Sequence, residues 1–180
     1  MKLAKWLDPV SPRACCASAH VLFCGGRFNE AKEECLHALA LDPNFAWAFE
    51  QLGVIHEETG QYPEGIEALQ KARIANGIEP ANATRIGEEL RGAFSTLGAR
   101  GYWEKRLELA DLGSTLGGDL YDLAVIYLHL DETDAVFECF EKLEAQKSDF
   151  AFRINNDRRF NRLRSDPRFV ALLRKLHLNE

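Results

Sequence analysis

Five cysteines, five histidines and many carboxylates are the residues of this chain with chemistry to offer, and their spacing limits what they can do. His56-Glu57-Glu58 begins like the H-E-x-x-H segment in which one helical turn aims two imidazoles at a metal, but the second histidine does not follow. His20, His37, His129 and His177 are scattered without ligand spacing, and Cys15, Cys16, Cys24, Cys35 and Cys139 contain no C-x-x-C pair. An odd set of thiols reads as reduced, buried small hydrophobes, with a reactive adjacent pair, Cys15-Cys16, as the alternative. Gly92, Gly98 and Gly101 make no phosphate loop, because no strand precedes them and no Gly-Lys-Ser/Thr follows. The expectation is therefore a protein that is not an enzyme, with no catalytic residues, no cofactor and no metal.

Bulk properties agree with a binding role. At 180 residues the chain has the size of one domain, and 46% hydrophobic with 28% charged residues is an ordinary globular balance. No apolar run reaches membrane-spanning length, and residues 1–6 lack the apolar stretch of a secretory signal, so a cytoplasmic location is expected with no membrane contact. A net charge of −6 argues against affinity built on neutralising phosphates, hence no nucleic acid. The charge is uneven, since eight Arg or Lys lie between Arg153 and Lys175. That stretch reads either as a contact patch or as a solvated cap whose arginines pair with neighbouring acids.

The elements that must position these groups are announced by a period. Leu7-Asp8-Pro9 recurs as Leu41-Asp42-Pro43, thirty-four residues on, and apolar residues fall at matching offsets. Such a unit holds two short antiparallel helices that cannot bury their apolar faces alone and must stack. In residues 12–45 the first helix carries Cys15, Ala19 and Leu22 on one face and stops at Gly25-Gly26. Phe28, Ala31, Cys35 and Ala38 carry the second helix, which Pro43 ends. Residues 46–79 repeat the scheme with Phe49, Leu52-Gly53, Gly60, Tyr62, Ile66 and Ala72. Residues 80–116 form a degenerate unit weakened and ended by Gly92, Gly98 and Gly101, residues 117–150 a fourth pair, and residues 151–180 a terminal cap opened by Ser165-Asp166-Pro167. Residues 1–11 read as the remnant of a preceding repeat.

Phe49, Leu52-Gly53, Gly60, Tyr62 and Ala72, with Gly26, Phe28, Ala31, Ala38 and Pro43 one unit earlier, resemble the tetratricopeptide repeat. The resemblance implies an all-α, right-handed superhelix of about four helix pairs with a C-terminal capping helix, here a single domain over residues 1–180. Tyr121 to Tyr127 and Arg158 to Leu176 look like the C-terminal end of bacterial tetratricopeptide proteins. In those, the array follows a winged-helix, adenylate-cyclase or kinase domain.

In this family the first helix of each pair lines a concave face. The matching positions here include Arg13, His20 and Phe23 in the first unit, and Trp47, Glu50, Gln51, Val54, Glu57 and Glu58 in the second. Arg85, Glu88 and Arg91 follow in the third, and Tyr121 in the fourth. The carboxylate-clamp pattern of chaperone-binding members is matched by Arg85 alone. Acidic and aromatic residues in the face favour a protein or peptide partner that offers basic and apolar side chains. The alternative reading is a self-associating regulatory fragment, a homodimer formed through Leu3, Trp6 and Leu7 at the truncated end.

Overall fold

The computed structural model describes residues 11–111, 119–145, 150–176 and 178, among which there is no strand. The helices in chain order are α1 (Pro12–Cys24), α2 (Phe28–Leu41), α3 (Ala46–Glu58), α4 (Tyr62–Ala75), α5 (Pro80–Asp111), α6 (Leu120–His129), α7 (Thr133–Ala145) and α8 (Phe150–Asn156). A 3₁₀ segment (Arg158–Leu163) and α9 (Pro167–Lys175) complete them. They gather into two compact units that divide between Ala99 and Arg100. Leu3, Trp6 and Leu7, Gly118 and His177 lie outside the described residues.

In the first unit the sequence writes its own helix ends. Ser11 accepts from the Ala14 N–H at 3.4 Å and Pro12 fills the first turn, where its missing N–H costs nothing. Gly26, at φ 75°, lets the Arg27 N–H reach the Leu22 carbonyl and its own N–H reach Phe23, each at 2.9 Å. Thirty-four residues later Gly60, at φ 74°, repeats this closure through Gln61 to His56 and its own N–H to Glu57. A residue with no Cβ takes this left-handed conformation without penalty, so the period in glycine becomes a period in turns. Gly77 closes α4 in the same way.

Helix pairing follows from the small residues. A Cβ on Gly65 would lie 3.3 Å from the Gly53 carbonyl oxygen, and one on Gly53 would lie 2.6 Å from Leu69 Cγ, so α3 and α4 approach closely where both lack side chains. Ala19, Phe23, Ala31, Cys35, Leu52, Ile55 and Ala68 form a buried core that unites the two hairpins, with α3 packed on both α1 and α2. This is the stacked, all-α solenoid expected of the repeat. The first part of α5 is tied to α4 by the Tyr62 and Phe94 rings, 4.9 Å apart, and by Gln70 Nε2 donating to Thr84 Oγ1 at 3.0 Å.

Residues 80–111 correct one expectation. Gly98 alone breaks the helix, at φ 64° and ψ −148°, while Gly92 and Gly101, expected to weaken or end it, lie inside helical stretches. Helix hydrogen bonding absorbs an isolated glycine at about 1 kcal/mol; only a non-helical φ/ψ ends the element.

The second unit has its own core. Phe140 meets Phe160 at 5.1 Å and Phe169 at 6.2 Å, around Ala124, Val136, Leu143 and Ile154. The α6–α7 turn is closed by Asp131 at φ 63°, the place a glycine holds in the earlier pairs. At the C-terminal end Asp166 caps α9 by accepting from the Arg168 N–H at 2.8 Å, and Phe169, Leu172 and Leu173 face inward, as a terminal cap requires.

Candidate partner-binding face

On α3, Trp47, Glu50, Gln51, Val54 and Glu58 follow one another at helical spacing on a single stripe, and all five are half-buried. Trp47 rests on the Cys15, Cys16, Ala38 and Ala48 cluster, with its ring edge-on to Phe45 at 6.4 Å. Glu50 accepts from Asn76 Nδ2 at 2.8 Å, and its charge is felt by Cys16 on the neighbouring α1. On α1, Arg13 is exposed, and half-buried His20 places Nε2 3.8 Å from Cys24 Sγ. On α5, Arg85, Glu88 and Arg91 are exposed; Arg85 pairs with Glu89 at 2.5 Å and Arg91 donates to Gln70 at 3.3 Å.

Three residues expected on this face are packed inside instead. Phe23 is 2% exposed, in the core and against Phe28; Glu57 is 3% exposed, its Cγ beside Gly65 where α3 and α4 converge. Tyr121 is 2% exposed and its hydroxyl donates to Asp157 Oδ2 at 2.5 Å. A position rule fixes which way a side chain leaves its helix, but depth depends on what packs above it.

Around Tyr121 the second unit builds a buried polar knot that the sequence reading did not foresee. Asp157 caps the 3₁₀ segment through the Arg159 N–H at 2.9 Å, takes Arg159 Nε at 2.8 Å, and Arg153 lies 3.8 Å over the Tyr121 ring. Burial pushes the Asp157 carboxyl up, but Arg159 and the hydrogen bonds outweigh it and leave the pKa below its usual value. Burial pushes the Tyr121 hydroxyl up, so it stays a donor. The basic C-terminal stretch is largely paired within the unit: Arg153 with Asp119, Arg162 with Asp131, Arg168 with Asp134 and Lys175 with Glu144. Arg168 also covers the Phe137 ring at 4.1 Å.

The buried thiols divide by their neighbours. Cys16 and Cys35 are fully buried, and burial first, then nearby Cys and Glu groups, pushes both pKa values up to about 12, which removes the reactive reading of Cys16. Cys15 is different, because the hairpin brings it to Glu34 and His37 of α2. Their ligand atoms all lie within 4.8 Å of one another, and Cys15 Sγ is 3.8 Å from His37 Nδ1. No spacing along the chain pairs Cys15 with α2, although Glu34 and His37, one helical turn apart, were a signal available in the sequence.

Two family models, both described as tetratricopeptide repeat, match residues 34–67 and residues 12–45. The chain is also 28% identical over 114 residues to a barley (Hordeum vulgare) protein described as probable UDP-N-acetylglucosamine--peptide N-acetylglucosaminyltransferase SPINDLY. That match takes in 61% of this chain and 12% of the barley protein, so the chain spans a small part of that relative. No helix among the described residues is long and apolar enough to cross a membrane. Over residues 12–67 the chain therefore carries tetratricopeptide repeat sequence on helices paired and stacked as that repeat requires, the architecture of a protein-interaction scaffold.

Proposed function

We propose that the first unit holds a peptide or helix of a partner protein along the first helices of its repeats, and that the partner offers basic and apolar side chains. The observation that carries this is the α3 stripe. Trp47 and Val54 supply apolar contact while Glu50 and Glu58, on the same side of the helix, supply charge. Aromatic residues on a rigid helix make economical anchors because few rotatable bonds are fixed on binding. The carboxylates would select a basic ligand and reject an acidic one. A role as the regulatory part of a larger signalling protein rests on the resemblance of residues 121–127 and 158–176 alone.

The test compares two synthetic amphipathic peptides, one with a lysine-rich and one with a glutamate-rich polar face, titrated against wild type and a Trp47→Ala, Glu58→Lys double variant. Glu58 is the acid to change, because Glu57 is 3% exposed and its substitution would report on folding instead. The lysine peptide should bind wild type and lose at least about tenfold in the variant, a modest share of what a central aromatic anchor carries. Equal binding of both peptides, or no change in the variant, rejects the face.

A further inference from the structure

We propose that Cys15, Glu34 and His37 form a binding site for a single zinc-like divalent cation, bridging the two helices of the first hairpin. Three donor types that suit zinc, a thiolate, an imidazole and a carboxylate, stand within 4.8 Å of one another on two helices whose pairing is fixed by a buried core. With bonds of ordinary length, tetrahedral zinc sets its sulfur and nitrogen ligands about 3.5 Å apart. Cys15 Sγ and His37 Nδ1, at 3.8 Å, are within a small adjustment of that. Glu34 and His37 lie one turn apart on α2, so both side chains reach the same point, and the long Glu34 side chain can close the remaining distance by changing rotamer. The same i, i+3 pairing of Glu and His supplies ligands in helical-bundle metal sites.

The three residues also grade from inside to outside. Cys15 is 1% exposed, Glu34 is half-buried and His37 is exposed, which leaves an approach for a hydrated ion over His37 while the sulfur stays shielded. On binding, the Cys15 S–H gives its proton to solvent as the S–Zn bond forms, and His37 coordinates as the neutral imidazole through Nδ1. Three protein ligands leave the fourth position for a water. The three ligands lie on α1 and α2 and none belongs to the α3 stripe, so either reading can fail while the other stands.

Zinc is titrated into the reduced full chain, and cobalt serves as the spectroscopic stand-in. The expected result is one zinc per chain, a thiolate-to-cobalt charge-transfer band, and affinity at least about 10-fold to 100-fold weaker in His37→Gln and in Glu34→Gln, as for losses in the ligand set or its support. His37 is exposed, and Glu34→Gln keeps the shape of a half-buried side chain, so metal-free circular dichroism should match wild type. Cys15→Ser should remove the charge-transfer band; should that buried change unfold the chain, the His37 and Glu34 variants still decide. His20→Gln, which alters the other thiol–imidazole contact, should leave zinc affinity unchanged. Absence of the charge-transfer band, wild-type affinity in His37→Gln, or an equal loss in His20→Gln overturns the site.

Discussion

Tyr121 and Asp157 show how much a single contact can decide. They are thirty-six residues apart, both about 2% exposed, and joined by a charge-assisted hydrogen bond that Arg159 completes. Tyr121→Phe keeps the ring, its place beside Phe160 and the Arg153 stack, and removes only the donor to a buried carboxylate. Equilibrium urea unfolding should show a loss of about 1.5–3 kcal/mol, the range for hydrogen bonds to charged groups. Asp157→Asn adds a pH signature. Because the folded-state pKa is depressed, the stability Asp157 contributes is present above the ordinary carboxylate pKa and lost as pH falls through the lower folded value. The gap between wild type and Asp157→Asn should thus be wide at neutral pH and close below about pH 4. Taking the difference matters, since burial raises the pKa of nearby Asp122 against the pull of Arg106, and that group acts with the opposite sign. A gap independent of pH would mean that Asp157 acts only as a cap. None of this could be read from sequence, where Tyr121 occupies a surface-directed position and nothing in its own helix announces an acid that arrives with the C-terminal segment.

At the scale of elements, most of the fold is legible because it is local. Gly26 and Gly60 mark turns by their backbone freedom, Pro43 follows an extended Asp42, and apolar spacing selects the faces that become the first core. What is not local escapes. Gly92, Gly98 and Gly101 look alike in sequence, and only Gly98 takes φ 64°, ψ −148°, a region closed to other residues. Likewise the Cys15, Glu34 and His37 cluster exists only once two helices pair. Three substitutions test whether backbone conformation rules these turns. A Cβ at Gly98 meets nothing within 4 Å, so Gly98→Ala should cost about 1–3 kcal/mol through conformation alone. Gly92→Ala, inside the helix and equally open, should instead gain up to about 1 kcal/mol. Asp131→Gly should stabilise the α6–α7 turn by about 0.5–1 kcal/mol, because the left-handed conformation it relieves outweighs a solvent-exposed ion pair with Arg162. Thermal unfolding of the three variants checks the order; a stable Gly98→Ala would show that the break can be moved.

At the scale of the molecule, the two compact units each own a core. Buried apolar residues in the first run from Cys15 to Leu90 and in the second from Tyr102 to Leu173, with aromatic rings concentrated around Phe140 in the latter. Stacked repeats exchange stability mainly with their neighbours, so damage to one core need not melt the other. Phe140 is the sharpest place to apply it, at 1% exposure and in ring contact with Phe137, Phe160 and Phe169. Truncation to alanine should cost about 3–5 kcal/mol, from lost burial and the cavity left behind. Native-state hydrogen exchange on Phe140→Ala then reads the coupling directly. Amides of α6, α7 and α9 should lose protection by that amount while those of α1 to α4 keep theirs. In that event the α3 face would remain competent to hold its peptide after the second unit opens, and the lysine-rich peptide should bind Phe140→Ala as it binds wild type. Loss of protection in all helices together would mean that the chain opens as one cooperative body, and peptide binding would then fall in step with global stability.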